Sequence, residues 1–182
     1  MEDLSLHILD IVENAISAKA KRIDILVTEE PKEDRLVIEI KDDGIGMDEE
    51  VSRKAIDPFF TTRTSRKIGL GLSLMAQAAQ EAGGVLRIES EMGKGTKVTA
   101  TFQYHHIDRK PLGNMMETMT TLLLGNPELS VSYTHKKEGK SYTLSSQWLK
   151  ERFKNRSLTD PEVIQWLRKD LKEGLAQIGV QG

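Results

Sequence analysis

Ile8, Ile11, Val12 and Ala15 recur at the spacing of one helical face, so the chain is predicted to open with a helix over residues 4–20. The same helix carries His7, Asp10 and Asn14 on another face, three and four residues apart. The period then changes: Leu36, Ile38 and Ile40 alternate with Val37 and Glu39, so 22–29 and 35–41 read as strands, joined into an antiparallel hairpin by the turn at Pro31. Residues 42–69, rich in Gly, Asp and Thr, break both periods and predict a loop with a short helix near 49–56. An Ala- and Leu-rich run over 70–81 predicts a second long helix, ended by Gly83-Gly84. Strands at 85–91 and 96–104 flank a hairpin turn, Met92-Gly93-Lys94-Gly95.

Beyond Tyr104 the pattern restarts. A Met- and Leu-rich helix is expected from Pro111 to about Leu124, then strands at 129–134 and 141–144 around Gly139. Two helices follow. One carries Trp148, Leu149 and Phe153; the other starts at Asp160-Pro161-Glu162 and sets Ile164, Leu167, Leu171, Leu175 and Ile178 along one face. Helix, two strands, loop, helix, two strands predicts an α+β sandwich, with helices on one face of a mixed, mostly antiparallel sheet. The organisation expected is residues 1–105 as one domain and 106–182 as a smaller α+β extension of helix, β-hairpin and two helices.

Composition narrows the chemistry. The 182 residues include no cysteine, which excludes a disulfide scaffold, a Cys-ligated metal site and a thiol nucleophile. Four histidines without ligand-like spacing argue against a transition-metal centre. Through His106 there are 14 basic and 19 acidic residues, and after it 12 and 9; neither part is basic enough to announce nucleic acid. The first twenty residues have no basic start, and no apolar run approaches about 18 residues, so neither signal peptide nor membrane span is expected. The expected location is cytoplasmic.

Three glycine-containing motifs fall between elements: Asp42-Asp43-Gly44-Ile45-Gly46-Met47 at a strand end, Gly69-Leu70-Gly71 at a helix start, and Gly93-Lys94-Gly95-Thr96 in a hairpin. Singly, each reads as a turn. Glycine also lets backbone approach a flat ring, a carboxylate accepts from an exocyclic amine, and a helix N-terminus favours phosphate. Preceded by Val12-Glu13-Asn14-Ala15, the set resembles in its order the GHKL superfamily, the ATP-binding domain of gyrase, Hsp90, histidine kinases and MutL. Val12 to Ala15 looks like the N box and Asp42 to Gly46 the first glycine box. Asp57-Pro58-Phe59-Phe60-Thr61-Thr62 resembles the F box, and Gly69-Leu70-Gly71-Leu72-Ser73-Leu74 the second glycine box. The resemblance covers about residues 4–104, and the last two boxes are closest to the histidine-kinase branch.

That resemblance implies a Bergerat fold binding ATP and Mg²⁺ under a lid. Asn14 would hold the metal through its amide oxygen and Asp42 would take the adenine amine. Gly44 and Gly46 would permit close approach to the ring, with Thr96 supporting the adenine side. Gly69 and Gly71 would cradle phosphates, with Leu72, Thr62 and Lys67 among the nucleotide contacts. Residues 60–68 would form the lid, whose Arg63 and Arg66 would neutralise charge during phosphoryl transfer. Asp10 stands where hydrolysing members have a glutamate and kinases usually an asparagine; it reads as a base acting through water, a second Mg²⁺ contact, or an acidic residue on a wet helix face. Ser17 replaces a cation that kinases often carry, and the usual strand before the first helix and an upstream phosphoacceptor helix pair are missing from the sequence. His7 is expected on the helix surface or the site edge. His106-Ile107-Asp108-Arg109-Lys110-Pro111-Leu112 echoes a phosphoacceptor box without the acid at +1, and is expected to be a connecting loop.

The function expected is an ATP-dependent protein kinase acting on a partner protein or itself in signalling. A slow ATPase switch with Asp10 as base, and a non-catalytic nucleotide sensor, are the alternatives. A protein partner and a possible homodimer are anticipated, with no nucleic acid or membrane.

Overall fold

The computed structural model describes residues 3–57 and 70–181. Helix α1 (Leu4–Ser17) leads into strands β1 (Arg22–Glu30) and β2 (Arg35–Asp42), helix α2 (Glu49–Lys54) and helix α3 (Leu70–Glu81). Strands β3 (Val85–Glu91) and β4 (Gly95–Gln103), helix α4 (Met115–Gly125), strands β5 (Ser130–Lys137) and β6 (Lys140–Ser145), and helices α5 (Ser146–Arg152) and α6 (Pro161–Gln177) complete the chain. The six strands among the described residues join one sheet in the order β3-β4-β2-β1-β5-β6. Every neighbouring pair is antiparallel except β1 with β5. The α+β sandwich with a mixed sheet is therefore the architecture observed, and the sheet continues past residue 106 through β5 and β6.

Alternation decides the faces. Ile23, Ile25 and Val27 of β1, Leu36, Ile38 and Ile40 of β2, and Val98, Ala100 and Phe102 of β4 are all buried. They meet Leu4, Ile8, Ile11, Val12 and Ala15 of α1 and Leu72, Met75 and Ala79 of α3. The residues between them point to the other face of the sheet, where Lys97 pairs with Glu39 at 2.7 Å. That face is polar because a strand covered on one side only must alternate.

Helices α1 and α3 lie close together: a Cβ on Gly71 would stand 2.6 Å from the Cβ of Asp10. With α4 on its other side, α1 buries a wider arc than its apolar stripe, and His7 is wholly buried. The expected surface placement of His7 is thus overturned, because two neighbouring helices and the sheet surround that part of the helix.

Two boundaries differ from the periodic reading. Helix α1 stops at Ser17 because Lys19 turns to φ +61 and Ala20 donates its N–H back to Ala15. Helix α4 starts at Met115, after Asn114, whose side chain accepts from the Glu117 N–H at 3.0 Å. Pro111 does not head that helix. Its carbonyl and that of Leu112 instead accept from the N–H groups of Leu4 and Ser5 at 3.0 and 2.8 Å, satisfying donors that the first turn of α1 leaves unpaired. In α6 the buried stripe begins at Val163 rather than Ile164 and runs through Leu167, Leu171 and Leu175. No helix among the described residues is long and apolar enough to cross a membrane.

Candidate functional site

The period-two pattern that buries Leu36, Ile38 and Ile40 also sends the next even residue, Asp42, to the helix-covered face at the very end of β2. Thr96 of β4 lies opposite Asp42, and Ser90 of β3 lies opposite Thr96, so three polar side chains share one row where the apolar rows stop. Ser90 is a residue that sequence reasoning missed. Its hydroxyl accepts from the Met47 N–H at 2.8 Å, donates to the Gly95 carbonyl at 3.1 Å and meets the Thr96 hydroxyl at 2.8 Å. A serine alternating with Leu86 and Ile88 was the only signal available.

The two adjacent aspartates do different work. Asp42 accepts from the Gly44 N–H at 2.8 Å. Burial pushes its carboxyl above the ordinary aspartate range, and the N–H groups of Gly44 and Thr96 recover only part of that shift. Asp43 accepts from the backbone N–H groups of Lys21 and Arg22 at 2.7 and 2.8 Å, tying the α1–β1 turn to the end of β2. Hydrogen bonding from the Arg22 N–H, with Lys21 adding to it, holds the Asp43 carboxyl below the ordinary range.

The loop after Asp43 is clamped from both sides. Ile45 donates to the Ala18 carbonyl at 2.9 Å and accepts from the Gly93 N–H at 2.8 Å. Here the glycines answer to the protein's own backbone. A Cβ on Gly44 would lie 2.8 Å from the Ala18 oxygen, and one on Gly46, at φ +68, would lie 2.1 Å from the Glu91 oxygen. Gly71 sits in the first turn of α3 against Asp10. At Gly44 and Gly46 the lack of a side chain lets one protein segment approach another.

Between α1, α3 and the end of the sheet lies a cleft of about 120 Å³. Its walls are mostly apolar, with Ile11, Ala15, Leu72 and Val98 contributing, and Asn14, Ser17, Asp42 and Thr96 supply its polar side chains. Few polar groups in an apolar cleft is the pattern of a small-molecule site. Asn14 is the informative one: its side-chain Nδ2 is buried with no hydrogen-bond partner among the described residues. Buried amides are ordinarily paired, and the two ends of an amide exchange by a flip, so this position presents either a donor to phosphate or an oxygen to a cation. Asp10, one turn earlier, is exposed. Among the described residues no three acidic or histidine side chains converge on a metal position. A larger hollow of about 460 Å³ opens on the same end of the sheet between Lys41, Glu89, Glu91 and Lys97. Its charged walls are solvated, so it lacks the apolar enclosure of the first.

Several expected site residues fall outside the described residues: Thr62, Arg63, Arg66, Lys67 and Gly69, with the lid they belong to. His106 lies beyond the opposite end of β4 from Thr96. Thr96 to Gln103 alone spans eight residues, roughly 23 Å of strand. Its Nδ1 accepts from the Asp108 N–H at 3.1 Å in a turn, which is the connecting loop expected.

Comparison with known proteins converges on the same region. The family model described as histidine kinase-, DNA gyrase B- and HSP90-like ATPase matches residues 2–106. A putative sensor protein of Shewanella frigidimarina is 33% identical over 103 residues, covering 56% of this chain and 16% of that protein. Sporulation kinase E of Bacillus subtilis is 38% identical over 89 residues, covering 48% of this chain and 12% of that one. The chain therefore spans less than a fifth of the length of either relative. Among solved structures, the Aquifex aeolicus MutL ATPase domain complexed with ADP superposes with a TM-score of 0.51 at 18% identity, covering 92% of this chain and 87% of that one.

Proposed function

The chain belongs to the histidine kinase-, DNA gyrase B- and HSP90-like ATPase family, on its histidine-kinase branch, and from that premise we propose that it binds Mg-ATP in the cleft beside Asp42 and transfers phosphate to a partner protein. The observation that carries the reading is the pairing, within one apolar cleft, of a carboxylate at the rim with a buried amide nitrogen that has no partner among the described residues. Asp42 offers an acceptor to the 6-amino group of adenine, where guanine carries a carbonyl oxygen that a carboxylate repels. Asn14 offers its amide toward the phosphate side, where its oxygen suits a hard divalent ion. Bound there, the ion would neutralise triphosphate charge. The clamped loop holds Asp42 in place before any ligand arrives, so little ordering opposes binding at this end of the site.

A cytoplasmic signalling role follows the likeness to sensor kinases. Slow hydrolysis is the second reading. What favours it is Asp10, an exposed carboxylate one helical turn before Asn14, a residue type that can act as a base through water. Calorimetry with ATP and Mg²⁺, followed by phosphate-release and labelled-phosphate transfer assays with candidate partners, tests these together. Transfer to a partner is the expected result. Free phosphate without transfer selects the hydrolytic reading, binding without turnover selects a nucleotide sensor, and no binding defeats all three.

A further inference from the structure

The sheet has two outer strands, and they are built differently. β3 carries Arg87, Glu89 and Glu91 among its seven residues, and α2 packs against it. Charges of this kind discourage edge-to-edge pairing. β6 carries one charge, Lys140 at its start, and from Ser141 to Ser145 it has no charge and no proline. Ser141 and Thr143 are exposed.

The hairpin determines which backbone groups of β6 remain open. Glu138 and Gly139 both have positive φ, +47 and +80, the two-residue turn that matches strand twist. Lys137 and Lys140 flank it and are partners in the register, which makes them a hydrogen-bonded pair. Alternation then makes 142 and 144 bond inward to β5 and turns the N–H and C=O groups of 141 and 143 outward. The register agrees: Thr134 and Thr143 form the next non-bonded pair but one, where side chains come closest, and their hydroxyls meet at 3.1 Å. No backbone hydrogen bond of Ser141 or Thr143 is present among the described residues outside the strand pairing itself.

We propose that β6 pairs with β6 of a second copy of this chain, antiparallel across a twofold axis at Thr143, to form one continuous twelve-stranded sheet. Self-complementarity selects this occupant. With Thr143 opposite its own mate, Ser141 faces Ser145 and Tyr142 faces Leu144, so hydroxyl meets hydroxyl on one face and apolar meets apolar on the other. No charge opposes a like charge, because Lys140 falls opposite Ser146. An isologous contact is the commonest route to a closed dimer. Beside the strand, a hollow of about 390 Å³ is lined by Tyr142, Leu144, Ser145, Trp148 and Asp170, and the Trp148 ring is 45% exposed. The twofold would bring this hollow against its mate and cover Trp148. The pairing is independent of the nucleotide reading, since β6 is separated from the cleft by β5 and β1.

Sedimentation velocity over about a hundredfold range of protein concentration tests the pairing. The parent should sediment as a dimer that dissociates on dilution. Thr143→Pro removes an outward N–H and none that β5 uses, so this variant should be monomeric throughout with the parent's circular dichroism. Thr143→Lys keeps every backbone donor but sets a cation against itself at the axis, and should weaken the dimer by at least about tenfold. Should the proline variant fail to fold, the lysine variant decides. A dimer that survives Thr143→Lys unchanged overturns the proposal. So does a monomeric parent, which leaves the edge to a strand from a different protein.

Discussion

Asp42 and Asp43 are sequence neighbours whose carboxylates hold different segments: Asp42 caps its own loop through Gly44, and Asp43 reaches back to the start of β1 through Lys21 and Arg22. Their acidities are pushed in opposite directions, Asp42 upward by burial and Asp43 downward by backbone hydrogen bonds.

This divergence predicts the pH dependence of nucleotide binding. Asp42, raised, takes up its proton first as pH falls, at a pH above the ordinary aspartate value, and a protonated Asp42 loses its charged acceptor. The Asp43 anchor, lowered, is still ionised there. ATP affinity should therefore decline on acidification before circular dichroism changes. At neutral pH, Asp42→Asn should weaken ATP binding by about tenfold or more, the worth of a hydrogen bond to a charged group. Calorimetry across pH values on parent and variant checks both, and parent-like affinity in Asp42→Asn would remove Asp42 from the adenine pocket.

Asn14→Ala is expected to separate stability from binding. The Asn14 amide nitrogen is buried without a partner among the described residues, so removing the amide relieves an unmet desolvation penalty of about 1–3 kcal/mol. The melting temperature should hold or rise while Mg-ATP affinity falls sharply. A marked drop in melting temperature would show that the amide serves the fold.

Gly46→Ala should destabilise the protein through backbone strain. The new Cβ would lie 2.1 Å from the Glu91 oxygen at φ +68, and strain of this kind costs about 1–3 kcal/mol before the clash is added. Urea denaturation measures it. Gly93→Ala, with nothing within 4 Å of its Cβ, is the comparison that carries only the positive φ of +80.

Away from the cleft, Glu29 is expected to govern acid stability. Its carboxylate meets His135 Nε2 at 2.7 Å and accepts from the Tyr104 hydroxyl at 2.9 Å, while Tyr133 meets His135 Nδ1 at 2.7 Å. Burial alone would raise the Glu29 carboxyl, but the His135 and Tyr104 hydrogen bonds outweigh it and the net shift is downward. A lowered folded value means stability that is present above the ordinary glutamate value and lost as pH falls through the folded one. Glu29→Ala strips one partner from a buried group and should cost about 3–5 kcal/mol. Glu29→Gln, which keeps a hydrogen-bonding end, should cost less and flatten the acid limb of a stability-against-pH curve.

Hydrophobic periodicity by itself determined the order of the elements and the inward face of β2. Placing Asp42 on that inward face is a consequence of counting by two from Leu36. The resemblance of its boxes to the GHKL family singled out Asn14, Asp42 and Thr96, and the tertiary structure brings those three to one cleft. Periodicity describes one element at a time, whereas the remaining features depend on which surfaces meet. His7 is buried because two helices flank α1, and Pro111 is occupied with the N-terminus of α1 rather than heading a helix of its own. Likewise β5 lies parallel to β1, a strand more than a hundred residues earlier, and no local pattern encodes that pairing. The glycines were legible as special positions, yet their obligate neighbours, the Ala18 and Glu91 carbonyls, belong to other segments, and only packing brings those segments within reach.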